Sequence, residues 1–496
     1  VLIPCVIPSF GQGILFSTRH DHLGLHYHDA ATSVFPTFNN ELMVVGMCNE
    51  PNYYSGRLSV SYYDSTGQFQ GVQSYGEPGI KFMPHYDGAS PIPDGGFIAA
   101  VEQLDSTGGN IKAMIWRFNA EGDTVWTKML YVDTTITSIA SKAVQARNNR
   151  FALVGSRYDG LNSKVFLALY DAFSDLQWTN EYGGSGVWNR YAISLDTLAD
   201  GGFVIGAYRA LFGSDPDIDS WVIRTDSSGI VLWEQYFNTS HGEGGPRAMA
   251  WGSDRIIVAQ REWGEIVVDG TTYGRVLPKV SMLDTSGLLI WERTFPGLWR
   301  SAWDWPTAIK CFSDTSFLIS SRAWHQITDD DSGCLLNLSE SGDSLWYREY
   351  WTADSTCGLS SLYPTSFLVE PTGNIVLVGQ WGYCGEDHWV MRVDNDGMPP
   401  PTMQLWTNIE ESSARSAVLL AWPNPTTGVV YLDPQDPSFI MKTFDLLDIT
   451  GRTLLRVEAI MSDPLSLDLS SYPAGIYLAR LMDPRGRRLT SRILKQ

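Results

Sequence analysis

The sequence predicts an all-β protein that is built from a repeated unit and ends in a smaller β domain. Three observations predict it: a turn that recurs about every 55 residues, short apolar runs between the turns, and a change of character near residue 419. The chain has 496 residues, of which 44% are hydrophobic and 12% aromatic. That is enough apolar material for a large core, and the length is a reason to look for repeats.

The recurring turn has the form Asp-x-x-Gly, and most copies carry a Trp four residues after the Gly. Its last position is occupied by Gly67, Gly122, Ser174 in a degenerate copy, Gly229, Gly287, Gly342 and Gly397. Successive positions are 55, 52, 55, 58, 55 and 55 residues apart. We interpret the Asp as a cap of the turn and the Trp as packing between neighbouring units.

Each period contains four short strands. An apolar run such as residues 203–206 follows one turn, a second run such as 221–224 precedes the Asp-x-x-Gly turn, and one further strand lies on either side. Four-stranded antiparallel sheets repeated radially are a β-propeller, so seven turns predict seven blades within residues 12–400. Residues 13–16 match the start of the strand that follows Gly229, so we expect the N-terminal strand to close the last blade.

The first eleven residues are apolar and end in small residues, Ser9 and Gly11, at positions −3 and −1 from Gln12. This pattern is typical of the end of a secretory signal peptide, so we interpret residues 1–11 as a remnant that is cleaved before Gln12. The alternative is an ordinary buried strand.

The end of the chain carries landmarks in a fixed order. Short alternating strands between them predict a small immunoglobulin-like β-sandwich over residues 419–496, preceded by a linker over 401–418. The landmarks are Pro423, Asn424, Pro425 and Gly428, then Gly451 and Arg452, then Gly475 and Tyr477, then a basic terminus.

This segment resembles the type A C-terminal sorting domain of the type IX secretion system of Bacteroidetes and related bacteria. The resemblance implies export through the periplasm and handling by the type IX machinery. It also implies removal of the domain by a sortase-like protease, with the protein anchored on the outer surface or released. The alternative is a generic immunoglobulin-like module, which has no reason to carry all the landmarks.

Charge and hydropathy exclude several classes of partner. The chain has 35 basic and 55 acidic residues, a net charge of −20, which opposes binding to nucleic acid or to anionic lipid. No run approaches the roughly 20 apolar residues that a transmembrane helix needs. No motif for a cofactor stands out, so we expect none.

The Trp residues outside the repeat motif indicate where a ligand would bind. In a propeller, the loops from second to third strand and the loops between blades emerge on the same face. The sequence places Trp263, Trp324 and Trp381 at loops from second to third strand, and Trp303 and Trp305 at loops between blades. Arg261 and Arg322 flank them. Aromatic rings beside guanidinium groups suit a glycan or a protein ligand. The alternative is packing of large side chains between the blades.

Two further sets of residues are candidates for metal binding and for a disulfide. His20, His22, His26 and His28 form two His-x-His pairs that suit zinc or copper, although a polar loop is the simpler interpretation. Cys357 and Cys384 lie in two loops that share a face of the last blade, so an exported protein could bridge them. Cys48, Cys311 and Cys334 are expected to be buried thiols.

Together these patterns predict an exported or cell-surface binding module. The competing hypothesis is a secreted glycan-active or other hydrolytic enzyme with its site on the aromatic loop face. The lack of a clustered acid, base or nucleophile motif favours binding over catalysis.

Overall fold

The computed structural model describes the chain outside residues 1–13, 22–28, 38, 40, 50–55, 78, 106–110, 134, 161–162, 185–187, 212–217, 238–243, 269–270, 296–301, 326–329, 352–361, 383–386, 402, 407–418, 423, 425, 435–441, 449–451, 459–464, 483–487 and 496. The chain divides into two compact units, Val1–Asn408 and Ile409–Gln496. Strands form all the regular structure of the described residues. Among these residues there is no helix long and apolar enough to cross a membrane.

The N-terminal unit contains seven successive groups of four strands in its described part. The first four groups are β2 (Ala30–Pro36), β3 (Leu42–Asn49), β4 (Gly56–Tyr63) and β5 (Phe69–Tyr75); β6 (Ile80–Pro91), β7 (Phe97–Asp105), β8 (Lys112–Phe118) and β9 (Thr124–Met129); β10 (Thr137–Ala146), β11 (Arg150–Tyr158), β12 (Ser163–Tyr170) and β13 (Leu176–Tyr182); and β14 (Trp188–Thr197), β15 (Phe203–Leu211), β16 (Ile218–Thr225) and β17 (Val231–Phe237).

The remaining groups have the same order, and the last of them includes the first strand of the chain. They are β18 (Gly244–Trp251), β19 (Arg255–Val268), β20 (Thr271–Asp284) and β21 (Leu289–Thr294); β22 (Ala302–Ser313), β23 (Ser316–His325), β24 (Asp330–Ser339) and β25 (Ser344–Trp351); and β26 (Leu362–Val369), β27 (Ile375–Trp381) and β28 (Asp387–Val393) with β1 (Phe16–His20). Within each group, neighbouring strands pair antiparallel in this order, as in propeller blades.

The first strands of the groups, β2, β6, β10, β14, β18, β22 and β26, are called the inner strands. They contact one another in that order, and β26 contacts β2, so the series closes on itself. Every inner strand has a bulge in its pairing with the second strand of its group. Hydrogen bonds join each inner strand to the next, for example from the Thr365 hydroxyl to the Ala31 carbonyl, 2.6 Å, across the point of closure.

The strand that closes the series is β1, as the sequence predicted. It pairs with β28 from Phe16, opposite Arg392, to His20, so the paired strand begins three residues later than Gly13. Phe16 is buried and lies against Gly67 of the first turn. The N-terminal strand therefore joins the last group of strands to the first.

The turns confirm the interpretation of the repeat. The first residue of each turn accepts a backbone N–H from the residue four positions later; these residues are Asp64, Asn119, Asp171, Asp226, Asp284, Ser339 and Asp394. Gly229 has a φ of 77°, and a side chain there would meet the Trp178 ring at 2.7 Å. The Trp233 indole donates to the Thr285 carbonyl, 2.9 Å, so the Trp of one group packs on the turn of the next.

The core of the N-terminal unit lies between successive groups. On β11, Phe151 and Leu153 pack with the group before, whereas Ala152 and Val154 pack with the group after. Both faces of each central strand are thus buried, which explains why these strands are continuous apolar runs in the sequence. The residues predicted as a linker, 401–418, include β29 (Gln404–Trp406), which pairs with the outer edge of β25.

The C-terminal unit has two antiparallel sheets in its described part. One contains β30 (Leu419–Trp422), β31 (Val429–Pro434) and β34 (Leu465–Asp468), and the other contains β33 (Thr453–Glu458), β32 (Thr443–Asp448), β35 (Gly475–Met482) and β36 (Arg488–Lys495). Val430 and Leu432 of the first sheet share one buried cluster with Phe444, Leu446 and Leu481 of the second. The two sheets therefore enclose a single hydrophobic core.

Candidate functional site

Each group of the N-terminal unit has two ends with different connections. The loop face is the end at which inner strands begin and second strands end, and it carries the loops between groups and between second and third strands. The hairpin face is the opposite end, and it carries the first hairpin and the Asp turn of each group. Candidate binding residues lie at the loop face and along the inner strands.

At the loop face, four side chains from three groups form what we call the mouth cluster: Tyr86, Tyr363, Gln380 and Arg322. The Tyr86 and Tyr363 rings meet edge to face with centroids 5.4 Å apart. The amide of Gln380 donates to the Tyr86 hydroxyl, 3.1 Å, and the Arg322 guanidinium lies 5.0 Å from the centre of the Tyr363 ring. Both tyrosines and Arg322 are half-buried, so the cluster combines partly accessible rings with fixed polar groups.

A second aromatic pair lies near a cleft on the same face. Tyr191 of β14 stacks on Tyr208 of β15, with ring centroids 5.0 Å apart. The cleft has a volume of about 240 Å³ and is lined by Tyr191, Arg157, Tyr158 and Asn189 among others. Tyr158 is 40% exposed. The loop face therefore offers several rings with a polar group beside them.

Several carboxylates of this face are held in ion pairs. Glu181 pairs with Arg157 at 2.9 Å and with Lys164 at 3.1 Å, Asp219 pairs with Arg209 at 2.6 Å, and Asp387 pairs with Arg19. These carboxylates orient arginine side chains: the Arg209 guanidinium lies 4.4 Å from the centre of the Trp188 ring.

A charged cavity lies along the inner strands and is called the central cavity. It encloses about 320 Å³ and is lined by side chains of five inner strands, among them Asp87, Lys142, Asp196, Arg247 and Lys310. The Lys142 ammonium is 2.9 Å from the Asp87 carboxylate, and the Lys310 ammonium is 3.4 Å from it. Ser366 donates to the same carboxylate at 2.6 Å.

The two carboxyl groups of the central cavity have opposite environments. Burial alone would raise the pKa of Asp87, but Lys142, Lys310 and Arg247 hold that pKa well below its usual range. Burial raises the pKa of Asp196 to about 6, against the opposing effect of N–H donors from Thr197 and Ala250. Asp87 is thus fixed as an anion, whereas Asp196 changes charge in mildly acidic solution.

The structure places the five predicted tryptophans on four strands: Trp263 on β19, Trp303 and Trp305 on β22, Trp324 on β23 and Trp381 on β27. Trp263 of β19 is 44% exposed. Trp381 of β27 is half-buried, packs against the core shared by the last two groups, and has the Arg19 guanidinium 6.0 Å from its ring centre. The backbone places Trp303 opposite Ala323 and Trp324 opposite Ala302, while the side chains of Trp303, Trp305 and Trp324 lie outside the described residues.

The two predicted arginines occupy equivalent places in their second strands. Arg261 and Arg322 both lie five residues after the buried residue that starts the apolar run, Ile256 or Phe317, and both are half-buried. Arg322 belongs to the mouth cluster. The same position is Tyr208 in the fourth group and Gln380 in the last. Comparing this one position across the seven repeats would have pointed to Tyr208 and Gln380 from sequence.

The candidate metal and disulfide residues are mostly outside the described part of the chain. The residues that lie outside it are His22, His26, His28, Cys357 and Cys384. His20 ends β1 and stacks on Phe69, with ring centroids 3.7 Å apart. Among the described residues, no three or more His, Cys, Asp or Glu side chains lie together in a way that could hold a metal ion.

The three cysteines that were expected to be buried thiols differ in burial. Cys48 and Cys334 are buried, and Cys311 is half-buried. Burial, helped by the nearby Asp29, raises the pKa of the Cys48 thiol to about 12, so it stays protonated at neutral pH.

In the C-terminal unit, the landmark residues hold the end of the chain in place. The side-chain amide of Asn424 donates to the Arg492 carbonyl at 2.6 Å and its oxygen accepts the Leu494 N–H at 2.8 Å. The Tyr477 hydroxyl donates to the Pro473 carbonyl at 2.7 Å. Arg452 caps its own turn through Asp448, 3.1 Å, and the Leu469 N–H donates to the Gly428 carbonyl.

Gly475 starts β35, while Pro423, Pro425 and Gly451 lie outside the described residues. Residues 420–496 match the family model of the secretion system C-terminal sorting domain. The C-terminal unit is a sorting domain. It directs the protein through the type IX secretion machinery to the cell surface or the medium.

Comparison with solved structures gives distant likenesses for the chain. An α-L-arabinanase of Penicillium chrysogenum is 8% identical over 79% of this chain and 100% of its own, with a TM-score of 0.41. The β-propeller domain of the Trilobed protease of Pyrococcus furiosus is 9% identical over 77% of this chain and 96% of its own, also with a TM-score of 0.41. The polysaccharide lyase Uly1 is 10% identical over 74% of this chain and 90% of its own, again with a TM-score of 0.41. No curated protein matches the chain in sequence.

Proposed function

We propose that residues 12–400 form a seven-bladed β-propeller and that the exported protein binds a glycan at the mouth cluster. The closed order of seven inner strands and the pairing of β1 with β28 support the blade count. Around this module we propose a cleaved signal segment over 1–11, a connecting stretch over 401–418, and an immunoglobulin-like fold for the sorting domain over 419–496.

The observation that carries the binding proposal is the composition of the mouth cluster. Sugars present apolar C–H faces that stack on aromatic rings and hydroxyls that pair with amide and guanidinium groups. Tyr86 and Tyr363 supply the rings, Gln380 and Arg322 supply the polar groups, and the contacts among the four fix their positions before a ligand arrives. Such preorganisation lowers the entropy that binding costs.

A glycan array probed with the purified protein tests this proposal. We expect binding to a restricted set of glycans, with the Gln380→Leu variant weakened by about 1 to 2 kcal/mol through the loss of a buried polar partner. The control is Phe173→Ala, which removes a side chain that is 84% exposed in a hairpin-face turn. Equal binding by wild type and Gln380→Leu, or no binding to any glycan, would refute the proposal.

One observation favours the alternative, a hydrolytic enzyme. Burial raises the pKa of Glu102 to about 8, so this carboxyl of β7 keeps its proton at neutral pH and has the property that a general acid needs. Release of reducing sugar from the array's positive glycans, lost in Glu102→Gln, would establish catalysis. Binding without release would leave the binding module as the function.

Processing is tested on extracellular material. If the sorting domain is removed by a sortase-like protease, mass spectrometry will find peptides starting at Gln12 and none from residues 421–496. Intact sorting domain on the mature surface protein would contradict this proposal.

A further inference from the structure

The central cavity holds a positive excess in a protein whose net charge is −20. Three cationic side chains, Lys142, Arg247 and Lys310, line it. Against them stand Asp87, which is always ionised at neutral pH, and Asp196, whose pKa is about 6. Near neutrality both carboxylates are ionised, so the five groups carry an excess of about one positive charge. In mildly acidic solution Asp196 is protonated, and the excess rises to about two.

Arg247 is the group with hydrogen-bonding capacity to spare. Its guanidinium is buried and donates to carbonyls of three other inner strands, Tyr86 at 3.4 Å, Ile193 at 3.0 Å and Pro306 at 3.2 Å. A guanidinium has five N–H groups. Each of its two terminal nitrogens therefore keeps a second N–H with no acceptor in the described part of the chain.

The other inner strands show that neighbouring inner strands can be joined without a cation. At the position just after the bulge, five strands carry small residues, and two carry Lys142 and Arg247. The five are Ser33, Ala89, Ser194, Ala308 and Ser366. Ser33 and Ser194 join neighbouring inner strands through a hydroxyl that accepts a backbone N–H. Hydroxyls thus join these neighbouring strands without a cation, whereas the Lys142 ammonium donates to the Ala89 carbonyl of the preceding inner strand at 3.1 Å.

Burying uncompensated cations is unfavourable unless an anion compensates them. Burial lowers the pKa of both Lys142 and Arg247, and the Asp87 carboxylate acts in the opposite direction. An oxyanion that accepted the two remaining N–H groups of Arg247 would supply the missing charge, with the planar fork geometry that guanidinium groups offer.

We propose that the central cavity binds a small oxyanion, with Arg247 as the contacting residue and Lys142 and Lys310 as the source of the surrounding positive potential. This site extends from the middle of the inner strands toward the hairpin face, and it does not depend on glycan binding at the mouth cluster. The class includes inorganic sulfate or phosphate and the carboxylate of a small organic acid.

Thermal shift and isothermal titration of the full chain test the proposal with sulfate, phosphate and D-glucuronate, each against sodium chloride at equal ionic strength. A neutral sugar, methyl glucoside, is the additional blank. We expect at least one oxyanion to raise the melting temperature by several degrees and to saturate, and the choice among the three separates an inorganic from a carboxylate ligand.

The variants are Arg247→Gln and Lys310→Met, with Arg293→Gln as the control because that arginine is 47% exposed and pairs with Asp343 away from the cavity. We expect the oxyanion affinity to fall at least tenfold in both cavity variants and to stay unchanged in the control. If Arg247→Gln does not fold, Lys310→Met decides. No saturable shift with any oxyanion, or the same shift in wild type and Lys310→Met, would overturn the proposal.

Discussion

The hairpin-face turns and the inner strands of the N-terminal unit follow opposite rules. All seven turns cap their backbone in the same way, through the first residue of the turn. The inner-strand position after the bulge instead carries Ser in three groups, Ala in two, Lys in one and Arg in one. What repeats in this protein is the set of residues that forms each group, and what differs is the residue at this inner-strand position.

This difference separates scaffold from site. A capped turn needs the same acceptor wherever it occurs, because the backbone N–H groups are in the same place each time. A ligand site built from several similar units needs different side chains from each unit, because a single ligand does not present the same groups to every unit. Departures from the repeat, such as Arg247 and Gln380, are therefore the positions at which function is to be sought.

The largest effect is expected at the closure of the series. Phe16→Ala removes a ring that covers Gly67 and lies 5.0 Å from the Arg392 guanidinium. Loss of a buried Phe costs about 3 to 5 kcal/mol. Calorimetry of the full chain should show this loss in the unfolding of the N-terminal unit. Phe173→Ala should change it by less than about 0.5 kcal/mol, since surface changes are usually that small. Equal stability of the two variants would contradict closure by β1.

The next effect concerns the inner strands. Because Asp196 has a raised pKa of about 6 when folded, the folded protein binds a proton that the unfolded chain releases near pH 4, so stability falls as pH rises between these values. The slope from this group is about −1.4 kcal/mol per pH unit. Asp87 and Lys142 lie close enough to influence it.

The Asp196→Asn variant should therefore lose that slope. Denaturant unfolding at pH 4, 5, 6 and 7 compares the variant with wild type. The free energy of unfolding of wild type, relative to that of the variant, should fall steadily up to pH 6 and then level off. A constant difference across the range would show that Asp196 titrates normally and that its surroundings are less buried than the structure indicates.

The smallest effect is expected in the one turn that departs from the repeat. Ser174 has a φ of 74° where the other turns have Gly. A left-handed conformation costs a non-Gly residue roughly 1 kcal/mol, so Ser174→Gly should stabilise the protein by a similar amount or slightly less. Ser228→Gly, in the neighbouring turn, should give no gain, because Ser228 is not in the left-handed region. Thermal unfolding of both variants makes the comparison.

The sequence was sufficient for the parts of the fold that depend on local chemistry. The Asp and Gly of each turn act within five residues, so the period could be read directly, and residues 13–16 resembled an outer strand closely enough to predict the pairing of β1. Strand β29 was not predicted, because the prolines before Gln404 obscure a short strand that forms only against the edge of β25.

The site was harder to predict for a physical reason. A bulge inserts one residue and reverses which side chains of the strand face the centre, and every inner strand has one. The contact of Gln380 with Tyr86 joins residues 294 positions apart, which no local pattern reveals. The sequence pattern singled out Arg322, which lies in the second half of β23, but it gave no sign of the contact between Arg322 and Tyr363 or between Tyr363 and Tyr86.

The most direct test of the division between scaffold and site measures affinity and stability in the same variant. Tyr363→Leu keeps apolar volume but removes the ring that meets Tyr86 and Arg322. Titration of the best glycan from the array should show affinity reduced at least tenfold, about 1.4 kcal/mol, while Ser174→Gly binds that glycan like wild type. The melting temperature of Tyr363→Leu should stay near that of wild type. Unchanged affinity in Tyr363→Leu, or a loss of affinity in Ser174→Gly, would contradict the account.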